Sequence, residues 1–366
     1  MINSIYTPLT FALATVLFVL ALLFYCLCSS MKSPVFRTAL RIMTFTYCFF
    51  GLVNVLEVWS RTTLPDSEDV LLFQIATLIV AMSQAFLFTY TLVLLIHSAY
   101  VTRKRVVREL IPILTLSVSL VTAYFILPDA GVKIAIQLFI LFYIWLLIKY
   151  VRLFITTYRD CLRKLDNFFS GQEAEHLRWV NFSFYAALSV GVMALIISLF
   201  PSIRMGVVCS VTCLLFYPYF AIRIIKYGFV YKKLAVALAD DTPQSEQSEE
   251  EESAPQPLIA KSFENNLKIW LDKKQFLYAD VTINDLALQI GTNRSYLSEY
   301  INTAKGKTFR QWINELRIDH AKHLLDKNPE LELYKIAEQT GYPDNKYFST
   351  CFKKITGKTP TEYRGK

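Results

Sequence analysis

The chain has 366 residues, of which 54% are hydrophobic, and a formal net charge of +8. That length allows two or three domains. The apolar residues gather in the first ~225 positions as long unbroken runs, which excludes a single soluble globule with a core drawn from short periodic stretches.

Seven runs approach the ~20 apolar residues that cross a bilayer: about 9–28, 39–59, 72–97, 109–127, 132–153, 179–200 and 205–225. Pro128, Asp129 and Gly131 mark a short turn between the fourth and fifth. The first run follows "MINSIYTP", which lacks Lys and Arg, and no small-x-small cleavage site follows it, so it reads as a retained span. Lys and Arg fall after alternate runs. Lys32, Arg37 and Arg41 follow the first; Arg103, Lys104, Arg105 and Arg108 the third; Lys149, Arg152, Arg159, Arg163 and Lys164 the fifth, with Arg178 before the sixth. Arg223, Lys226, Lys232 and Lys233 follow the seventh, while the other side has only Arg61, Lys133 and Arg204. This bias puts the N-terminus outside and the C-terminus in the cytoplasm. Asn54 and Glu57 share one face of the second run, Gln84 lies in the third and Gln137 in the fifth. Polar groups in lipid are costly, so Asn54, Glu57 and Gln84 are the candidate membrane-sensing residues, against plain interhelical hydrogen bonding as the alternative.

Residues 239–262, "ADDTPQSEQSEEEESAPQPLIAKS", are acidic and poor in apolar side chains, which predicts a disordered tether. Three domains result: a seven-span membrane domain (1–235), an acidic linker (236–262) and a soluble domain (263–366).

The soluble domain holds an internal repeat. "LALQIGTNRSYLSEYINTAKGKT" (286–308) parallels "IAEQTGYPDNKYFSTCFKKITGKT" (336–359). Each copy reads as a short helix, a turn carrying Gly291 or Gly341, and a second helix capped by Asn293 or Asp344. Leu297, Tyr300 and Ile301 form the expected buried face of one second helix, and Phe348, Phe352 and Ile355 that of the other. The opposite faces carry Arg294, Ser295, Ser298, Glu299 and Asn302, and Asn345, Lys346, Ser349, Thr350, Lys353 and Lys354. Such side chains reach base edges and phosphates in a major groove. A helix over about 309–327, with a stripe of Phe309, Ile313, Leu316, Ala321, Leu324 and Leu325, joins the copies. Its length, roughly 28 Å, suits two second helices in successive major grooves about 34 Å apart. From 263 onward, seventeen basic residues stand against thirteen acidic ones.

The repeat, with the ending "KIAEQTGYPDNKYFSTCFKKITGKTPTEYR" (335–364), resembles the DNA-binding domain of the AraC/XylS family over about the last 100 residues. The resemblance implies an all-α double helix-turn-helix domain following the seven-helix transmembrane bundle. It also implies sequence-specific transcription regulation with double-stranded DNA, RNA polymerase and a second copy of the chain as partners, beside the lipid bilayer. It does not supply an effector. Position by position it marks Ser295, Ser298 and Glu299 in the first unit and Asn345, Lys346, Ser349 and Thr350 in the second. Glu299 departs from the basic residue often found there. The competing reading is a transporter-like or receptor bundle with an accessory DNA-binding tail.

No nucleophile–base set or phosphate loop is present, so no catalytic residue and no enzyme activity is indicated. The seven cysteines, Cys26, Cys28, Cys48, Cys161, Cys209, Cys213 and Cys351, lack CxxC spacing and read as small buried hydrophobes. His320 and His323 share a helix without a third ligand, so neither metal nor cofactor is expected.

Overall fold

The computed structural model describes residues 2–63, 70–238, 257–328 and 330–365. The chain divides into two compact units, Met1–Cys161 with Leu177–Asp241, and Leu162–His176 with Thr242–Lys366. Among the described residues both are helical, and the one β-type pairing is an isolated bridge between Phe169 and Thr282.

The first unit is built from α1 (Ile2–Ser30), α2 (Pro34–Thr63), α3 (Val70–Ile96), α4 (Arg103–Ile126), α5 (Asp129–Phe168, whose last turns belong to the second unit), α6 (Arg178–Leu199) and α7 (Ile203–Leu238). Each expected run lies inside one of these helices to within a residue, and all seven are long and apolar enough to cross a membrane. α5 and α7 continue well past the runs at 132–153 and 205–225, because helical hydrogen bonding does not stop where hydrophobicity does. The turn expected at Pro128, Asp129 and Gly131 is shorter than its sequence suggests. α5 already starts at Asp129, with Gly131 N–H and Val132 N–H donating to the Pro128 carbonyl.

α1 packs on α2 and α7, and α3 on α2, α4 and α6. Leu78, Met82, Tyr90, Ile113, Ile136 and Tyr143 form the centre of one buried cluster. Large apolar side chains face outward in quantity, and Phe125 and Phe229 are each 78% exposed. A water-soluble monomer rarely exposes so much apolar surface. Inside, tyrosine hydroxyls find oxygen acceptors. Tyr47 donates to the Tyr217 carbonyl (3.2 Å), Tyr143 to the Gly191 carbonyl (3.2 Å) and Tyr227 to the Leu95 carbonyl (3.3 Å). The three candidate sensing residues are engaged separately. Asn54 bonds back to the Phe50 carbonyl, Glu57 accepts from Tyr6 at 2.8 Å, and Gln84 accepts from Tyr217 at 3.3 Å. An ion pair the sequence reading passed over joins α4 to α5: buried Glu109 with half-exposed Lys149.

The second unit contains residues 162–176, α8 (Pro257–Asp272), α9 (Ile283–Ile290), α10 (Arg294–Ala304), α11 (Phe309–Lys327), α12 (Leu333–Gln339), α13 (Asn345–Thr356) and α14 (Pro360–Arg364). The sequence reading had placed 162–176 with the membrane domain. The expected linker, 236–262, falls mostly on 239–256, outside the described residues; α7 runs to Leu238 before it and α8 starts at Pro257 after it.

Local chemistry fixes this unit's elements. Thr282 and Asp285 form a capping box at the start of α9, Thr308 and Gln311 at α11, and Thr359 and Glu362 at α14. The repeated Gly-Lys-Thr thus has a structural cause: Gly306 and Gly357 turn the chain with positive φ, and Thr308 and Thr359 cap the next helix. α11 serves two cores. Phe309, Trp312 and Ile313 are buried near its start, with Trp312 stacked 6.1 Å from Trp270. Ile318, Ala321 and Leu325 join Ile336, Phe348 and Phe352 toward its end. Leu316 and Leu324, expected in its stripe, are only half-buried, while Trp312, Asn314, Arg317 and Ile318 are buried instead. A helix packed on both sides has no single apolar stripe. Ile355, expected in the α13 core face, is exposed at 36%, because that face runs through Tyr347, Phe348, Cys351 and Phe352.

The Glu109–Lys149 pair yields a test. Glu109→Ala is expected to cost about 1–3 kcal/mol, between exposed and fully buried pairs, since Lys149 is partly open. The double variant Glu109→Ala/Lys149→Met is expected to recover most of it. Thermal unfolding in detergent distinguishes these outcomes from a surface pair, for which neither variant shifts the melting temperature.

Candidate nucleic-acid interface

Two helix-turn-helix units make up the candidate interface, α9–α10 and α12–α13. Each second helix is started by the cap its sequence predicts. Asn293 Oδ1 accepts the Tyr296 N–H and Asp344 Oδ1 accepts the Tyr347 N–H, both at 2.7 Å. Gly291 ends α9 with φ +73°, and Gly341 follows α12 with φ +77°. Their surroundings differ. A Cβ on Gly291 meets nothing within 4 Å, whereas one on Gly341 would lie 2.3 Å from the Leu277 carbonyl oxygen.

Burial sorts the candidate residues. In α10, Leu297 and Ile301 face inward. Tyr300, expected beside them, is half-buried with its ring 4.9 Å from Phe263. Ser295, Glu299 and Asn302 are exposed, and Arg294 and Ser298 are half-buried. Asn302 Nδ2 lies 3.4 Å from Ser298 Oγ within the helix. In α13, Asn345, Lys346, Thr350, Lys353 and Lys354 are exposed and Ser349 is half-buried. Thr350 Oγ1 donates to the Lys346 carbonyl (2.9 Å), so its hydroxyl proton is engaged within the helix. Lys353 and Lys354 occupy the last turn of α13, where they also complement the helix dipole. The residues named from the sequence therefore form two short polar faces, and the second is the more basic.

The sequence reading missed the arginines that hold the units together. Arg317, in the middle of α11, is 1% exposed. Its Nε donates to the Phe276 carbonyl (2.8 Å) and its Nη2 to the Tyr278 carbonyl (2.7 Å), and its guanidinium lies 5.7 Å from the centre of the Tyr342 ring. Burial lowers its pKa, and the surrounding tyrosines oppose that shift. Arg310 donates to the Tyr347 hydroxyl through Nε (3.1 Å) and Nη2 (3.0 Å), and to Asp166 through Nη1 (2.9 Å). Burial works against the Arg310 charge, but Tyr347 and Asp166 outweigh it and its pKa is raised. An arginine on an amphipathic helix defaults to the surface in a pattern reading. The available signal was the position of Arg317 four residues after buried Ile313.

Residues 286–366 match a family model described as a helix-turn-helix domain. Over 122 residues the chain is 33% identical to an uncharacterized HTH-type transcriptional regulator in the cgkA 5′ region of Pseudoalteromonas carrageenovora, covering 33% of this chain and 70% of that protein. It is 28% identical over 142 residues to the Msm operon regulatory protein of Streptococcus mutans, covering 39% of this chain and 48% of that protein. It thus spans less than half the length of that second relative. A solved structure, the C-terminal domain of AraT, a response regulator from Geobacillus stearothermophilus, is 31% identical, with a TM-score of 0.25, over 31% of this chain and 87% of that one.

The two turn glycines give a graded prediction. Gly291→Ala is expected to cost about 1–2 kcal/mol, the penalty of a left-handed Cβ alone. Gly341→Ala adds a backbone collision worth about 1–3 kcal/mol more. Chemical denaturation of the two variants, followed by tryptophan fluorescence, reads the difference; equal losses would mean that the Leu277 carbonyl gives way.

Proposed function

The chain belongs to the AraC/XylS family of DNA-binding transcription regulators, and on that premise we propose that it reads a specific operator while embedded in the bacterial cytoplasmic membrane. It acts as a one-component sensor there, passing a membrane or envelope signal to gene expression. The observation that carries this reading is the presence in one chain of two capped helix-turn-helix units and seven helices of membrane-spanning length and composition. The exposed apolar faces of those helices support lipid as their solvent. The concentration of Lys and Arg after alternate runs supports an outside N-terminus and a cytoplasmic DNA-binding domain.

In this reading α10 and α13 enter successive major grooves, with α11 as the spacer. Asn345, Lys346, Ser349 and Thr350 of α13 read bases, and Lys353 and Lys354 pair with phosphates. Ser295, Ser298, Glu299 and Asn302 of α10 form the weaker reader. Glu299 repels phosphate but can accept a hydrogen bond from the amino group of cytosine. Residues 263–366 form the DNA-binding domain and 236–262 its tether. RNA polymerase and a second copy of the chain are its further partners, as expected of a regulator that acts at promoters.

Titration of the full chain in lipid nanodiscs with operator duplexes at several salt concentrations tests this assignment. Lys346→Ala is expected to cut discrimination between operator and single-base variants by about 1–3 kcal/mol. Lys353→Ala is expected to weaken binding to every duplex and to reduce the salt slope by about one unit. If Lys346→Ala leaves specificity intact while Glu299→Ala abolishes it, the base-reading residues belong to the first unit.

A further inference from the structure

Residues 162–176, the end of α5 and the chain leading toward α6, are packed into the DNA-binding unit at the ends of its helices that approach DNA. The antiparallel bridge pairs Phe169 with Thr282, the N-cap of α9. Ser170 is fully buried, and both its N–H (3.3 Å) and its Oγ (2.7 Å) donate to the Val281 carbonyl. The Phe168 ring lies 4.8 Å from the Arg294 guanidinium, at the first position of α10. Asp166 holds Arg310, in the first turn of α11. Gln172 Nε2 reaches Asp344, the N-cap of α13, at a long 3.5 Å.

These contacts share a direction. In a helix-turn-helix, the N-terminal residues of the second helix meet base edges and the first helix crosses the backbone. Helix N-termini and arginines are also where phosphate docks. Here the starts of α9, α10, α11 and α13 are met by one segment. That segment also brings a carboxylate, Asp166, to Arg310 at the start of α11, where DNA would bring a phosphate. Arg294, half-buried, has its guanidinium against the Phe168 ring, which occupies one face a phosphate would approach.

We propose that residues 162–176 are an autoinhibitory strap that occupies the DNA-facing surface of the helix-turn-helix domain and must leave before DNA binds. The inference rests on the reading of that domain as DNA-binding. Because the strap is continuous with α5 and α6, a rearrangement of those helices that withdraws it is the step by which the signal reaches DNA. Apparent affinity then falls by the fraction of molecules in which the strap is open.

The test uses the full chain in nanodiscs and a fluorescent mixed-sequence duplex of about 40 base pairs, long enough for two major-groove contacts. Asp166→Ala/Phe168→Ala is expected to bind the duplex roughly tenfold more tightly than the unaltered chain, the factor for a strap closed about nine-tenths of the time. A segment that merely supports the fold gives the opposite sign, because its loss weakens binding. Ser170→Cys/Val281→Cys provides an independent arm. The two residues sit opposite each other beside the bridge, at a spacing a disulfide can span. The oxidised form is expected to lose duplex binding and to regain it with reductant, while the unaltered chain responds to neither treatment. Equal or weaker binding by the Asp166/Phe168 variant, or full binding by the oxidised cysteine variant, overturns the strap. If no form binds duplex even at low salt, the DNA-binding reading falls and the strap with it; binding by the unaltered chain separates the two failures.

Discussion

The second unit depends on a buried charge. Arg317 sits in the middle of α11 with almost no contact with water, and it remains there because its surroundings satisfy it. A buried cation without partners costs several kcal/mol. Here the carbonyls of Phe276 and Tyr278 accept its protons, Ser170 Oγ lies 3.5 Å away, and the Tyr342 ring faces it. Those partners come from the turn before the first helix-turn-helix, from the 162–176 segment and from the turn between α12 and α13. One side chain therefore sets the register of three pieces of chain that are far apart in sequence. Gly341 is constrained by the same site, since it lies against both the Leu277 carbonyl and the Arg317 guanidinium.

Arg310 repeats this logic two turns earlier on the same helix. Its bonds to Tyr347 and Asp166 tie α13 and the 162–176 segment to the start of α11. α11 is thus also the place where the segment leading from α5 toward α6 is gripped. The tyrosine hydroxyls of the first unit follow a related rule. In an apolar surrounding Tyr47, Tyr143 and Tyr227 each donate to a carbonyl of a neighbouring helix, so polar groups help fix how the apolar helices meet.

Much of the architecture was legible in the sequence because its determinants are local. Seven apolar runs, the offset repeat, the caps Asn293 and Asp344 and the glycine turns each depend on a few consecutive residues. They reappear in the structure, each run inside one helix to within a residue, although α1, α2, α4, α5 and α7 extend well beyond their runs. What escaped depends on contacts between residues 37 to 147 positions apart. The periodicity of α11 puts Arg317 on the face of Ile313 but does not say what satisfies its charge, since its acceptors are backbone carbonyls brought there by the fold. Nothing in "LDNFFSGQE" says that Phe168 and Asp166 meet Arg294 and Arg310. Ile355 failed in the other direction: an apolar residue at helical spacing fell just outside the stripe that its neighbours bury.

The central claim is that one chain reads DNA without leaving the membrane. Genome-wide occupancy of the full-length, epitope-tagged protein in its native cell tests it most directly, with the protein's size and membrane association followed in the same cells. The account predicts discrete occupied sites beside genes whose transcripts change when the chain is deleted, bound by intact protein found in the membrane fraction. Occupancy confined to a shorter soluble fragment, or the absence of discrete sites, would contradict it.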